Sequence, residues 1–475
     1  MREINTDDRG EAAGALDGRM AFRRRARRRP MRPALLAGAA MITAGLVALV
    51  PGSGALSEAR AAGLAGAGPA NVGPADAAGS RPFQAMQAVL DDLVQAGAPG
   101  AVAQVRSGAV TRNFTSGVAD LVTRRPPRPD VHVRIGSVTK VFVATVILQL
   151  VAEGRLHLSD TVEQLLPGVV TGNGNDGSAI TVRMLLNHTS GLYDYTSDPN
   201  FTDLFYQNPF LYFTANDLVR IATSHSPDFA PGTKWEYSNT NYILLGMVID
   251  RVAGRPYAAE ITRRIIKPLG LRETYLAGHD PNIRAPHMHG YIRSPNPPYQ
   301  IEDRTRFDDY GADGEIISTM GELNRFISAE LAGRLLPARI LRMMLKPTVV
   351  AGRTVGYGLG IEIAPTLCGV TVYGHAGEVY GSTTWVGGTL GGRRSVAYNY
   401  NDDYTSSPIG ETNQAVFCPP GGGSGRPPES PAHPPRVLPP TSADHGRPSE
   451  PRPGAGLTES LSRHISQRPD NSITR

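Results

Sequence analysis

A serine and a lysine stand three residues apart at the start of an apolar segment. Ser137 and Lys140 directly precede residues 141–151, whose side chains are mostly aliphatic or aromatic. In a helix, residues three apart lie on one face, and the helix N-terminus favours developing negative charge. A lysine beside a serine hydroxyl helps to remove its proton. The pair therefore predicts a serine nucleophile that attacks a carbonyl group without a Ser-His-Asp triad.

Two other motifs carry groups that suit the same chemistry. Tyr237 and Asn239 close a loop before a helix predicted over residues 242–252, with Gly254 as its C-terminal glycine. His375 follows a segment, residues 369–374, that reads as a strand. Each residue also has an ordinary structural interpretation, as a half-buried tyrosine or a structural histidine. The hypothesis of an active site depends on their occurring as a set.

In this order the three motifs resemble the serine β-lactamase and penicillin-binding-protein superfamily. The resemblance is closest to its class C branch of soluble DD-carboxypeptidases/transpeptidases, which has Tyr-x-Asn and His-x-Gly at these places. Four further segments also resemble the family, so that the resemblance extends over residues 82–418. These segments are 151–156, 181–192, 266–271 and 357–360. The implied fold is α/β (α+β), a five-stranded antiparallel sheet flanked by helices with an inserted helical subdomain.

The periodicity predicts a similar arrangement of helices and strands, with six strands. It predicts a helix over residues 83–95 and a strand pair over 101–107 and 110–119 around Ser107-Gly108. Strands return near the C-terminus, with Gly391-Gly392 as a hairpin turn between the last two; they are 355–363, 370–373, 383–389 and 395–400. We expect the late strands to join the early pair in one sheet.

The resemblance also implies a role for each residue of the motifs. Ser137 would be the nucleophile, and Lys140 and Tyr237 would form a coupled base. The sequence allows either a tyrosine phenolate or a neutral lysine to take the proton. Asn239 would position Lys140 and the substrate amide, and His375 would act near the leaving group.

The backbone N–H groups of Ser137 and Glu378 would form the oxyanion hole. Ala376, Gly377 and Glu362 occupy positions that bind substrate in the family. The DD-peptidases have an arginine where this chain has Glu362, and threonines where it has Ala376 and Glu378. These changes place carboxylates where the family binds a substrate carboxylate. Either another arginine, such as Arg353, reaches in, or the substrate has no free carboxylate.

Three functions follow from these observations. The first is a penicillin-binding D-alanyl-D-alanine carboxypeptidase that acts on cell-wall peptides and is acylated by β-lactams. The second keeps the mechanism for another acyl donor, as in an esterase, an amidase, a D-aminopeptidase or a weak β-lactamase. The third is a non-catalytic receptor for peptidoglycan or β-lactams, which the complete set of motif residues disfavours.

The two ends of the chain have distinct compositions. Residues 1–61 hold an arginine-rich stretch, an apolar run and a small-x-small site at Ala61, the pattern of a secretory signal. A membrane anchor is expected only if that segment is not cleaved. Residues 62–81 are expected to be a linker, residues 82–418 the hydrolase domain, and the Pro/Gly-rich residues 419–475 a disordered tail.

The charge balance gives no sign of a nucleic-acid partner. The chain has a net charge of +5, and residues 1–61 alone supply eleven Arg against six Asp plus Glu. The remainder is therefore close to neutral. The predicted protein is secreted and monomeric.

The two cysteines, Cys368 and Cys418, are expected to pair, because exported chains with an even cysteine count usually form disulfides. We expect no metal and no cofactor, since His287 and His289 in a Pro-rich loop lack further ligands. Glu322 resembles a catalytic glutamate of class A β-lactamases, but Thr319 three residues earlier indicates a helix capping box instead.

Overall fold

The computed structural model describes residues 74–418, except residues 296, 309–310 and 351. The predicted signal segment and C-terminal tail lie outside the described residues. The first helix begins at Pro74, inside the segment predicted as a linker, and the domain boundary there stays a prediction. In the part of the chain just defined, no helix is both long and apolar enough to cross a membrane.

Helices occupy most of the chain between the early and late strands. They are α1 Pro74–Gln95, α2 Thr139–Ala152, α3 Val162–Leu165, α4 Val182–Leu186, α5 Pro199–Gln207, α6 Ala215–Thr223, α7 Thr240–Ala253, α8 Tyr257–Ile261, α9 Lys267–Leu269, α10 Met320–Leu331, α11 Ala338–Met344 and α12 Ile409–Phe417. Short 3-10 turns lie at Gly136–Val138, Tyr195–Ser197 and Gly311–Asp313, and a π turn at Thr262–Ile266.

The strands are β1 Gly100–Ser107, β2 Val110–Gly117, β3 Val133–Arg134, β4 Thr171–Gly172, β5 Asn175–Asp176, β6 Tyr275–Leu276, β7 Tyr291–Arg293, β8 Ile301–Asp303, β9 Ile316–Ser318, β10 Thr348–Val350, β11 Arg353–Val355, β12 Glu362–Pro365, β13 Thr371–Val379, β14 Ser382–Gly388 and β15 Arg394–Tyr400. The main sheet is antiparallel, with the strand order β12-β13-β14-β15-β1-β2. β1 and β15 join in the register Ala101↔Tyr400, which confirms that late strands complete the early pair.

The count of five strands, which the family resemblance implied, is wrong, because the main sheet of the described residues has six, the number that the periodicity predicted. The sequence treated residues 355–363 as one strand. The chain instead turns, with Gly360 at φ 79° and the Gly358 N–H donating to Ile361 O at 2.8 Å. The strand at this edge of the sheet, β12, therefore starts only at Glu362, beyond the turn, and pairs with β13.

The sheet separates two hydrophobic cores. On one face α1 and α12 cover a core that includes Phe83, Trp385 and Phe417. On the other face α10 packs on the sheet, and the larger core continues into the helical region. α2 is buried almost all round, which explains why its sequence is apolar on every side.

The predicted cap of α10 is correct only in part. Thr319 is the N-cap, and its side chain accepts from the Glu322 N–H. The Glu322 carboxylate does not complete a capping box. It accepts from the N–H groups of Arg272 and Glu273 and from Thr274 Oγ1, at 2.6 to 3.0 Å. These hydrogen bonds of Glu322 therefore connect the start of α10 to residues 272–274, which follow α9.

Candidate active site

Ser137 lies in the 3-10 turn that leads directly into α2. Gly136 permits this turn, because its φ is 49° and a methyl group on it would lie 2.8 Å from Glu378 N. Only glycine adopts such a backbone at so close an approach without strain. The serine is thereby held against β13, a strand that lies some 240 residues later in the chain.

Lys140 is fully buried and donates three hydrogen bonds. Its Nζ lies 2.8 Å from Ser137 Oγ, 2.8 Å from Asn239 Oδ1 and 2.8 Å from the carbonyl oxygen of Asp313. An ammonium group has three N–H donors and no acceptor, so this arrangement suits the charged form. The charge also lies 5.1 Å from the centre of the Tyr237 ring.

Tyr237 also contacts the serine hydroxyl. Burial raises the pKa of Tyr237 well above its ordinary value of 10, and a hydrogen bond with Ser137 acts in the opposite direction. The Tyr237 phenol is therefore neutral at rest, and the three acceptors around Lys140 Nζ favour the ammonium form of that lysine. Because Ser137 Oγ accepts from Lys140, its own proton is available to the tyrosine oxygen.

Asn239 is oriented by a residue that the sequence reasoning missed. Asp194 Oδ2 accepts from Asn239 Nδ2 at 3.0 Å, so the amide oxygen turns towards Lys140. Asp313, the carbonyl partner of Lys140, was also missed, and its carboxylate accepts from Tyr195 at 2.9 Å. The sequence gives no sign of which backbone carbonyl will accept a hydrogen bond, so Asp313 could not have been predicted. Asp194 lies two residues after the segment 181–192, which resembles the family, and could have been considered.

His375 is fully buried, and the centre of its ring lies 6.4 Å from the centre of the Tyr237 ring. Its Nδ1 is 2.5 Å from Ala376 O, which can only accept, so this nitrogen carries the proton. Its Nε2 is 2.9 Å from the Tyr357 hydroxyl, which lies 3.2 Å from His188 Nε2. His375 thus has a fixed ring orientation within a buried polar chain.

The two groups predicted for the oxyanion hole are brought together by a second glycine. A methyl group on Gly377 would lie 1.9 Å from Ile135 O and 3.0 Å from Ser137 N. The absence of a side chain lets β13 approach the serine turn this closely. The backbones of Ser137 and Glu378 therefore meet at one place, as an oxyanion hole requires.

Glu362 lies at the start of β12 and is only 3% exposed. Its Oε1 accepts from the Ala376 N–H at 2.9 Å and lies 3.5 Å from His375 Nδ1. The carboxylate at the family's arginine position thus contacts the strand next to the nucleophile. Arg353, the alternative cation from the sequence, is exposed at the start of β11.

The two cysteines form a disulfide, as the sequence predicts. Cys368 lies in the turn between β12 and β13, and Cys418 directly follows α12, with 5.7 Å between the Cα atoms. The bond links the edge of the sheet to the helix that covers it. Within the described residues, no group of three or more His, Cys, Asp or Glu side chains is placed to hold a metal ion.

The chain matches known proteins along this whole domain. A model of the beta-lactamase family matches residues 83–417. Among solved structures, a D-stereospecific amidohydrolase from Streptomyces is 42% identical, with 70% of this chain and 98% of that chain covered and a TM-score of 0.67.

Curated relatives are more distant. Protein flp of Staphylococcus aureus is 34% identical over 197 residues, which cover 40% of this chain and only 38% of that protein. One of the penicillin-binding proteins of Bacillus subtilis is 27% identical over 319 residues, 64% of this chain and 68% of that protein. The extent of the family match, together with the geometry around Ser137, shows that the chain belongs to the beta-lactamase family of serine hydrolases.

Proposed function

We propose that this chain hydrolyses an amide or ester bond of a D-amino acid derivative through an acyl-enzyme on Ser137. The observation that carries the proposal is the 2.8 Å hydrogen bond from Lys140 Nζ to Ser137 Oγ, with Asn239 and Asp313 holding the same nitrogen. A buried cation beside a serine, facing a tyrosine, is a device for activating a nucleophile. A non-catalytic receptor would not require an activated nucleophile.

The first step is attack of Ser137 Oγ on the substrate carbonyl. The proton of the hydroxyl passes to the oxygen of Tyr237 once the Lys140–Tyr237 pair has lost one proton, and the lysine ammonium stabilises the resulting charge. The N–H groups of Ser137 and Glu378 bind the oxygen on which negative charge develops. Among the two bases that the sequence allows, the three donors of Lys140 favour tyrosine as the acceptor.

Tyr237 then returns this proton to the leaving nitrogen or oxygen, and the bond between it and the acyl carbon breaks. The acyl group remains on Ser137 as an ester. Water attacks this ester, gives a proton to the same base and releases the acid. An amine in place of water would give transpeptidation.

The identity of the acyl donor is argued from the comparisons. The likeness to the Streptomyces amidohydrolase supports D-amino acid amides. The likeness to the Bacillus penicillin-binding protein supports a second candidate, D-alanyl-D-alanine carboxypeptidase on cell-wall peptides, with β-lactams as acylating ligands. Both candidates share the acyl-enzyme and differ in the leaving group.

Intact-mass measurement tests the shared step. The protein is mixed with a fluorescent penicillin, a 4-nitrophenyl ester or a D-amino acid amide, and we expect an adduct that Ser137→Ala abolishes. Lys140→Met should lower kcat/KM by about 10² to 10⁴-fold, the usual contribution of acid-base assistance. Lys346→Met, at an exposed lysine, is the matched control. Normal turnover by Lys140→Met would overturn the mechanism.

We also propose that the protein works outside the cytoplasm as a monomer. The disulfide supports an oxidising compartment. Cell fractionation of the full chain and light scattering of the purified protein test the two statements. Recovery in the cytoplasm with free thiols, or a stable oligomer, would contradict them.

A further inference from the structure

The open edge of β13 lies beside the nucleophile. β12 pairs with β13 only as far as Glu362↔Gly374, so β13 continues beyond the end of its neighbour. The N–H groups of alternate residues in a strand point to the same side. The N–H of Ala376 faces Glu362, on the β12 side, so the N–H of Glu378 faces that side too. These two donors lie about 7 Å apart along the edge.

One of the two donors is already occupied by the protein itself. Glu362 Oε1 accepts from Ala376 N at 2.9 Å and lies 3.5 Å from His375 Nδ1, which carries a proton because it also faces Ala376 O. The hydrogen bond from the Ala376 N–H to this carboxylate oxygen favours the ionised form of Glu362. A substrate can therefore use the Glu378 N–H, but it meets a buried negative charge at the next donor along the edge.

This charge lies on the side from which the leaving group departs. Tyr237 must reach the leaving atom to return its proton, so the leaving group lies on the tyrosine side of Ser137. Burial is the main cause that raises the pKa of Tyr237, and the charge of Glu362 acts in the same direction. The centres of the His375 and Tyr237 rings lie 6.4 Å apart, and His375 Nδ1 lies 3.5 Å from Glu362 Oε1, so the carboxylate and the tyrosine both lie near His375.

We propose that Glu362 selects the leaving group and rejects those that carry a carboxylate. A substrate with a free C-terminal carboxylate next to the scissile bond would bring a second negative charge to Glu362 and would find the Ala376 N–H occupied. Ammonia, alcohols and uncharged or cationic amines meet neither obstacle. The substrate class is then amides, esters and C-terminally blocked or cationic peptides. This inference rests on the proposed function, because it concerns the group displaced from the Ser137 acyl-enzyme.

A matched substrate pair tests the inference. D-alanyl-D-alanine and D-alanyl-D-alaninamide share the acyl group and the scissile bond and differ only in the terminal charge. Mass spectrometry follows release of D-alanine or D-alaninamide from that bond. We expect kcat/KM for the free acid to be at least about 100-fold below that for the amide, because the substrate carboxylate and Glu362 would repel each other at the binding site.

Glu362→Gln is the informative variant, because it keeps an oxygen that accepts from Ala376 and removes only the charge. It should raise kcat/KM for the free acid by at least about tenfold relative to the amide. Glu236→Gln removes one charge from the exposed loop before Tyr237 and should leave this ratio unchanged. If both variants shift the ratio equally, the effect is one of overall charge and the inference is wrong.

The outcomes separate the two proposals. Equal cleavage of acid and amide by the native chain, abolished by Ser137→Ala, would overturn the role of Glu362 and keep the hydrolase. Failure to cleave either peptide, together with the lack of any adduct on Ser137, would overturn the proposed function and the inference with it.

Discussion

Lys140 and Tyr237 divide the work of activating Ser137 because their environments differ. Lys140 is surrounded by three acceptors, which favour its ammonium form, whereas burial is the main cause that raises the pKa of Tyr237. At neutral pH both groups keep their protons, and the reactive form is a minority. The active fraction then grows as the pH rises.

A pH profile tests this division. A raised pKa means that the proton is lost only at higher pH, so kcat/KM should rise between about pH 6 and 9. Tyr237→Phe should lose about 10² to 10⁴-fold in kcat/KM and flatten the profile, because phenylalanine cannot titrate. A variant that retains the native slope would show that the titrating base is another group.

Asp194 should act as a positioning residue through Asn239. Asp194→Ala removes the 3.0 Å acceptor that turns the amide oxygen towards Lys140. We expect kcat to fall about tenfold with little change in KM, as for other groups that orient a direct partner. Asp176→Ala, at an exposed position at the end of β5, is the control. A change in KM alone would contradict the assignment.

At the scale of single residues, the sequence predicted which side chains form the site but not the groups that hydrogen-bond to them. Ser137, Lys140, Tyr237 and Asn239 come together as the motifs predicted, since each motif sits at the start of a helix. The carbonyl of Asp313 escaped prediction because any residue can supply a backbone oxygen. Burial of Glu362 depends on the turn before β12, which the periodicity did not reveal.

Among the elements, the contact between α2 and α10 contains an unusual buried acid. Glu330 of α10 is fully buried and accepts from Thr145 of α2 at 3.2 Å. Burial raises the pKa of Glu330 to about 8. The Glu330 side chain is therefore mostly protonated in the folded protein at neutral pH, and its partner Thr145 lies five residues along α2 from Lys140.

This acid predicts a stability that depends on pH. The folded state keeps the proton up to about pH 8, whereas the ordinary value for Glu is 4.5. Between these values the folded state binds more protons, so the free energy of unfolding contributed by this group falls as the pH rises. Glu330→Gln should remove that slope in urea titrations at several pH values. An unchanged slope would show that other groups cause it.

The helices and strands were predicted most accurately where the local sequence signals are strongest. α7 and its glycine at 254, in the left-handed conformation at φ 69°, follow the sequence closely. So does the β14–β15 hairpin, whose glycines at 391 and 392 have φ 86° and 66°. The cap of α10 was only half correct, because Glu322 has tertiary partners that outweigh a local one.

Across the whole molecule, the disulfide closes a long loop. Cys368 and Cys418 are 50 residues apart, and the loop between them contains β13, β14, β15 and α12. A link of this span restricts the unfolded chain and stabilises the fold by about 4 kcal/mol in the chain-entropy model. The bond therefore stabilises the part of the sheet that includes β13, the strand that carries His375 and Glu378.

Replacing both cysteines by serine tests this contribution. The free energy of unfolding should fall by about 4 kcal/mol, measured with urea under oxidising conditions. Activity per folded molecule should persist, since neither sulfur belongs to the contacts of Ser137. Addition of reductant to the native chain is the parallel measurement. Unchanged stability in both experiments would contradict the prediction.

The pairing of β1 with β15 has a further consequence for how activity arises. Ser137 and Lys140 are synthesised long before Gly377 and Glu378, and the sheet closes only when β15 reaches β1. A growing chain thus has a nucleophile but no second donor for the oxyanion. Chemical competence appears last, with the final strands, so an unfinished or truncated chain stays inert however well its helices have formed.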